Sequence, residues 1–180
     1  MHSSGFYRNS NEELCVQGIP ISDLAKKYGT PLFIYDSGLM KERYSAFLDT
    51  VANVKGKIHY AVKANDALAI ISFFTKLGCG ADIVSIGEFQ KCITAGMSPK
   101  KIIFSGVGKD NSEIEVALKN NILQFNIESQ EELEDIYKVA SKLKITANIC
   151  LRVNPNIAPN THKKISTGDK ETKFGIDFKD

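Results

Sequence analysis

Along most of the chain, short apolar runs of strand character alternate with longer segments whose apolar residues recur at helical spacing. Residues 57–63, 80–84, 101–105, 121–127 and 144–153 read as strands rich in Ile, Val and Phe. They start roughly 20 residues apart, which is the rhythm of a parallel βαβ sheet. The segments between them announce helix starts. Ser85 with Glu88, Asp110 with Glu113, and Ser129 with Glu132 each set a capping oxygen three residues ahead of a glutamate, directly after a strand. Apolar residues then follow at helical spacing, as in Ala67, Ile70, Phe74 and Leu77, and again in Leu133, Ile136, Val139 and Leu143.

Alternation within the strands separates a barrel from an open sheet. Between residues 144 and 154 one parity reads Ile145, Ala147, Ile149, Leu151 and Val153, and the other Thr146, Asn148, Cys150, Arg152 and Asn154. The first strand agrees: Ile58, Tyr60 and Val62 alternate with His59, Ala61 and Lys63. In the fourth, Leu123, Phe125 and Ile127 oppose Gln124 and Asn126. An open parallel sheet covered on both faces should be apolar on both. A barrel carries helices only outside, so its inward parity can turn polar near the mouth. That parity places Lys63, Asn126 and Arg152, with Asp82, at carboxyl-terminal strand ends pointing inward, where barrel active sites are built. Polar filling of a wide barrel is the plainer account of the same residues, and His59 is read as such a filler.

Lys63 carries the sharpest chemistry. A lysine closing an apolar strand sits where burial can make its amine nucleophilic, and such amines form Schiff bases with aldehydes. The plainer account is a strand-end side chain reaching into water. Upstream, residues 22–28 predict a short helix broken by Gly29-Thr30-Pro31. Leu32-Phe33-Ile34-Tyr35 predicts a strand outside the later repeat, followed by a helix running to Val51. Downstream, residues 154–172 are rich in Asn, Pro, Thr, Lys and Gly and read as a long loop, a candidate lid.

Composition narrows the classes. With 180 residues, 43% of them hydrophobic, and a formal charge of +2, the chain suits a globular protein and offers no basic block for nucleic acid. The four cysteines, Cys15, Cys79, Cys92 and Cys150, form no C-x-x-C pair, so no metal site is expected. They read as small buried hydrophobes in a reducing cytoplasm. No secretory h-region opens the chain, and no apolar run approaches the roughly 20 residues of a membrane span. Gly106-x-Gly108 lacks the remaining glycine and the Gly-Lys-Ser/Thr of phosphate loops, and reads as a βα turn.

Three stretches together resemble the fold-type III pyridoxal-phosphate enzymes, the group of alanine racemases and of diaminopimelate, ornithine and arginine decarboxylases. They are Tyr60-Ala61-Val62-Lys63-Ala64-Asn65; Gly80-Ala81-Asp82-Ile83-Val84-Ser85 with Gly87-Glu88; and Leu151-Arg152-Val153-Asn154-Pro155. His162-Lys163-Lys164-Ile165-Ser166-Thr167-Gly168, then Lys173-Phe174-Gly175-Ile176, is similar to the lid segment of bacterial diaminopimelate decarboxylases. The resemblance implies a partial (β/α)8 TIM barrel of alanine-racemase-like type with about five βα units. It implies a segment 1–36 whose strand pairs with a C-terminal β-domain in relatives, and a barrel portion 37–180. It implies pyridoxal 5'-phosphate held on Lys63, Asp82 and Arg152 near the cofactor, and His162 and Ser166 on the lid toward substrate. The implied reaction converts meso-2,6-diaminopimelate to L-lysine, in an enzyme that is a homodimer at full length.

The sequence also departs from that family. A complete barrel takes about 250 residues, and the C-terminal β-domain is missing. So are the histidine that stacks on the pyridine ring, the glycine-rich phosphate loops, the glutamate for the ring nitrogen and the cysteine–glutamate element that reads substrate. The chain is therefore expected to be an N-terminal portion that does not turn over alone. Two alternatives stand beside this reading. One is a decarboxylase of the same group acting on ornithine, arginine or a carboxylated polyamine. The other is a non-catalytic truncated product, or a half-enzyme that needs a partner chain.

Overall fold

A computed structural model describes residues 5–54, 56–154 and 175–177. They belong to two units, Met1–Lys57 and Ile58–Asp180. In the first, β1 (Phe6–Arg8), β2 (Leu14–Val16) and β3 (Ile19–Pro20) form a small antiparallel meander, followed by α1 (Ile21–Tyr28) and α2 (Ser37–Ala52). Gly29 ends α1 at φ 81°, a conformation that glycine takes without a Cβ penalty. Asp36 starts α2: its carboxylate accepts from Leu39 N–H at 3.1 Å and from Gln17 Nε2 at 2.8 Å. The meander was not legible in advance. Leu32-Phe33-Ile34-Tyr35, expected as a strand, is not one here. A strand exists only in a ladder, and none of the described residues pairs with this segment; Phe33 stands 86% exposed.

The second unit holds a five-stranded parallel sheet in the order β4 (His59–Ala61), β5 (Gly80–Ile83), β6 (Ile102–Phe104), β7 (Gln124–Ile127) and β8 (Ile149–Leu151). Each strand lies beside the next one in sequence. Right-handed crossovers that never reverse direction place every connecting helix on the same face, the arrangement of a barrel wall. A doubly wound sheet would reverse its strand order partway. This is the partial barrel that the alternation predicts.

Registry then sorts the side chains. Tyr60, Ala81 and Ile102 line up across β4–β6, and Phe104, Phe125 and Ile149 across β6–β8. On this outer parity Ala81, Ile83, Ile102, Phe104, Phe125 and Ile127 are buried under α3 (Leu68–Lys76), α4 (Ile86–Thr94), α5 (Asn111–Lys119) and α6 (Gln130–Leu143). Phe104 and Phe125 stack at 6.1 Å, and Ile71, Ile114 and Ile136 fill the helix side at no more than 1% exposure.

The capping expectation holds in part. Only Asp110 and Glu113 close a reciprocal box. Ser85 and Ser129 do accept from the N–H groups of Glu88 and Glu132, but these glutamates reach one residue further back, to Val84 N–H at 2.7 Å and Glu128 N–H at 2.8 Å. Glu113 also takes Ile86 N–H at 2.8 Å, satisfying an orphan donor of the neighbouring helix α4.

The last predicted strand is much shorter than residues 144–153. Lys144 ends α6 in the left-handed region at φ 57°, and pairing begins only where Asn148 O accepts from Phe125 N. After β8 the chain continues as β9 (Val153–Asn154), which pairs in parallel with β10 (Ile176–Asp177). Ile149 and Leu151 keep the predicted outward parity but are 43% and 51% exposed, because no helix among the described residues covers β8. Ile114→Ala is expected to lower the unfolding free energy by about 2–5 kcal/mol through the cavity it leaves. Ser129→Ala, which removes one cap, should cost about 1 kcal/mol. Urea unfolding followed by circular dichroism measures both, and a larger loss at Ser129 would contradict this packing.

Candidate active site

Lys63 does not close β4. Pairing stops at Ala61, opposite Asp82, and Val62–Ala64 form a single 3-10 turn. The turn is anchored from both sides. Val62 is fully buried, and Tyr60, stacked on Phe74 at 4.5 Å, donates its hydroxyl to Asn65 O at 2.9 Å. Asn65 Oδ1 accepts from Ala67 N at 3.0 Å. With Val62 spent on the core and Tyr60 and Asn65 on the loop, Lys63 is left exposed at the carboxyl end of the edge strand. The burial expected around its amine is therefore not present in this open sheet.

The inner parity carries a hydrogen-bonded polar row. Gln124 Nε2 donates to Asn126 Oδ1 at 2.9 Å, Asn126 Nδ2 donates to Ser105 Oγ at 2.9 Å, and Ser105 donates its hydroxyl to Asp82 Oδ1. The row has a direction. Gln124 occupies the Asn126 carbonyl, so the Asn126 amide must face Ser105. Ser105, already accepting there, has its one proton for Asp82. Asp82 is thereby held as an acceptor on the wall beside Ala61. His59 lies on the same face, its imidazole packed where a Cβ on Gly80 would stand: that atom would fall 2.7 Å from the ring and 2.5 Å from Lys101 O. Only glycine fits there, and His59 behaves as the inward filler that was expected.

Arg152 stands between β8 and β9, and its Nη1 donates to both oxygens of the buried Glu128 at 3.0 Å. Glu128 also accepts from Gly106 N–H at 3.1 Å. That N–H is thus occupied by a carboxylate, which agrees with a turn rather than a phosphate loop at Gly106-x-Gly108. Gly175, at φ 79°, packs on the Arg152 backbone so closely that a Cβ would lie 2.9 Å from Arg152 O. This seats part of the Lys173-Phe174-Gly175-Ile176 stretch beside the arginine. His162 and Ser166 lie outside the described residues.

A second acidic group shares the field of Lys63. Burial pushes the Glu88 carboxyl above its ordinary range; the Val84 N–H opposes this, the Asp66 and Asp82 charges add to it, and Lys63 draws it back. Asp66 is held below its ordinary range by its hydrogen bond with Lys91. Of the cysteines, Cys15, Cys79 and Cys92 are buried, as expected, and burial pushes the Cys92 thiol up to about 11. Cys150 is exposed, against expectation, because it faces inward from an edge strand. Among the described residues no cluster of three or more His, Cys, Asp or Glu is arranged to hold a metal, and no helix is long and apolar enough to cross a membrane.

Sequence reasoning set Gln124 on the inward parity and Glu88 at a helix start without assigning either to the site, and it did not single out Ser105, Glu128 or Lys109. Period two applied to β6 and β7 places Ser105 and Gln124 inward, so that signal was available. Glu128 and Lys109 lie beyond strand ends, where alternation assigns no face.

An anchored lysine beside a polar barrel wall is the arrangement of a cofactor-binding barrel, and the chain belongs to such a family. Residues 37–180 match the family described as pyridoxal-dependent decarboxylase, pyridoxal binding domain. The chain is 45% identical over 173 residues to the diaminopimelate decarboxylase of Zymomonas mobilis, covering 94% of this chain and 41% of the relative. To that of Helicobacter pylori strain J99 it is 48% identical over 158 residues, covering 88% and 39%. The crystal structure of the diaminopimelate decarboxylase from M. jannaschii superposes with a TM-score of 0.88 at 37% identity, covering 97% of this chain and 42% of that one. The chain thus spans about two-fifths of the length of the curated relatives it matches.

The raised Glu88 predicts a pH dependence of stability. The folded state holds this proton more tightly than the unfolded state does. Its contribution is therefore most favourable in acid and is lost as pH rises through the ordinary glutamate range and then the raised value. Glu88→Gln keeps an acceptor for Val84 N–H but cannot ionise. Relative to this variant, the wild type should lose stability in denaturant unfolding as pH rises through and above the ordinary glutamate range; a difference that grows in favour of the wild type would contradict the assignment.

Proposed function

We propose that this chain forms the cofactor-attaching part of a decarboxylase that converts meso-2,6-diaminopimelate to L-lysine, with Lys63 as the attachment residue. One observation carries the reading: an exposed lysine amine on a turn pinned by Tyr60, Val62 and Asn65, at the carboxyl end of a barrel strand beside the Asp82 wall. The relatives at 45% and 48% identity support the substrate, and the solved Helicobacter pylori relative is a complex with L-lysine.

The residues fit pyridoxal 5'-phosphate on chemical grounds. Condensation with its aldehyde needs an accessible amine, which Lys63 offers, and an anionic cofactor suits the Arg152 guanidinium at the same end of the sheet. When bound, this cofactor supplies an electron sink for the charge left on carbon as carbon dioxide departs. Lys63 would hold the cofactor through its amine, and that amine, when free, would carry a proton to the carbon that lost the carboxylate. Asp82, fixed by Ser105, presents its carboxyl group on the wall opposite Ala61, where β4 pairing stops two residues before Lys63. Asp82 and Arg152 are assigned to the cofactor side, and His162 and Ser166 to the substrate side. Homodimerisation of the complete enzyme and residence in a reducing cytoplasm belong to the same proposal; the four free thiols favour the latter.

A second reading follows from the length covered: these residues act as a half-barrel completed by further structure, which also decides between diaminopimelate, ornithine, arginine and carboxylated polyamine substrates. Incubation of the 180-residue chain with pyridoxal phosphate, borohydride reduction and peptide mass mapping tests the site. Label confined to the Lys63 peptide and lost in Lys63→Ala is expected. Label spread over surface lysines would overturn the assignment. The same chain is expected to release no carbon dioxide from meso-diaminopimelate, and measurable release would show that these residues suffice for turnover.

A further inference from the structure

Lys109 buries its entire side chain, 0% exposed, while paired with Glu132, itself 11% exposed. Its ammonium has three donors, and all three are engaged: with Gly106 O at 2.6 Å, with Asn126 O at 3.0 Å and with Glu132 Oε1. The other Glu132 oxygen accepts Glu128 N–H at 2.8 Å. The Glu128 side chain is 1% exposed and receives Gly106 N–H and Arg152 Nη1. The circuit closes on itself, because Gly106 gives its carbonyl to Lys109 and its N–H to Glu128. Taking an ammonium out of water is expensive, and an apolar side chain of similar length would fill the space at less cost. The charge is therefore best explained by what it aligns.

We propose that Lys109 is a positioning residue. It fixes Glu132 and the Gly106 peptide, these fix the Glu128 carboxylate, and Glu128 sets the Arg152 guanidinium at the polar end of β8. Its relevance to the reaction rests on the reading above, in which Arg152 belongs to the cofactor side. Lys109 itself touches neither substrate nor cofactor in this scheme.

The test uses phenylglyoxal, which modifies accessible arginines, with peptide mapping of the 180-residue chain. The only other arginines, Arg8 and Arg43, serve as internal references. In Lys109→Met the rate at Arg152 should rise about tenfold or more, the scale of losing one charge-assisted hydrogen bond, with Arg8 and Arg43 unchanged. Because a lone Glu132 charge could unfold that variant, Lys109→Met combined with Glu132→Leu removes both charges and should give the same rise. Glu128→Gln should raise the rate as well, and adding Lys109→Met to it should raise it no further. An unchanged Arg152 rate in a folded Lys109 variant would overturn the proposal, as would a full additional rise in the Glu128→Gln background, since Lys109 would then not act through Glu128. Separately, if Arg152→Ala leaves pyridoxal-phosphate labelling of Lys63 unchanged, the cofactor-side reading of Arg152 fails, while the modification rates still decide the positioning role.

Discussion

The parallel register of five consecutive strands is the constraint on which the rest of the half-barrel depends. Because Ala61 pairs with Asp82, Asp82 with Ile103, and Ile103 with Gln124, one parity is carried from strand to strand across the sheet. A slip of one residue in any strand would exchange its buried and polar sets. The large outward side chains resist this, since Phe104, Phe125 and Ile83 have no other place to leave water. Hydrophobic burial on the outer face thus aligns the polar residues of the inner one, although those residues contribute little to it.

Glutamates at the helix starts join neighbouring units in addition to capping their own. Glu113 starts α5 and takes a donor from α4; Glu132 starts α6 and receives the buried ammonium that precedes α5. Helix starts at the carboxyl ends of strands leave N–H groups unpaired, and the same glutamates that satisfy them tie adjacent βα units together. This mouth end of the sheet is also where Lys63, Asp82 and Arg152 stand. The rim therefore gains rigidity from ordinary capping chemistry.

Much was legible in advance where a residue's role depends on near neighbours in the chain. The βα rhythm, the helix starts and the parity of β4, β7 and β8 follow from spacing alone. Expectations failed where a role needs a distant partner. Leu32-Phe33-Ile34-Tyr35 has strand composition but no ladder, and Ile149 and Leu151 are apolar but uncovered. Cys150 has the right residue type for a core and the wrong side of an edge strand. Lys63 was identified by its motif, yet its exposure follows from a turn and an open edge that no local pattern encodes.

The sequence by itself determined the alternation of elements, the division of each strand into an apolar and a polar face, and the family to which the chain belongs. Those properties rest on periodicities of two and 3.6 residues and on short motifs, all local in the chain. Tertiary structure alone decided that Ser105 faces Asp82, that Glu128 holds Arg152, and that Lys109 is a buried cation linking Gly106, Asn126 and Glu132. Each of these contacts except Lys109 to Gly106 joins residues 17 to 24 positions apart. One βα unit separates them in sequence, and only the closing of that unit against the sheet brings them within hydrogen-bonding distance.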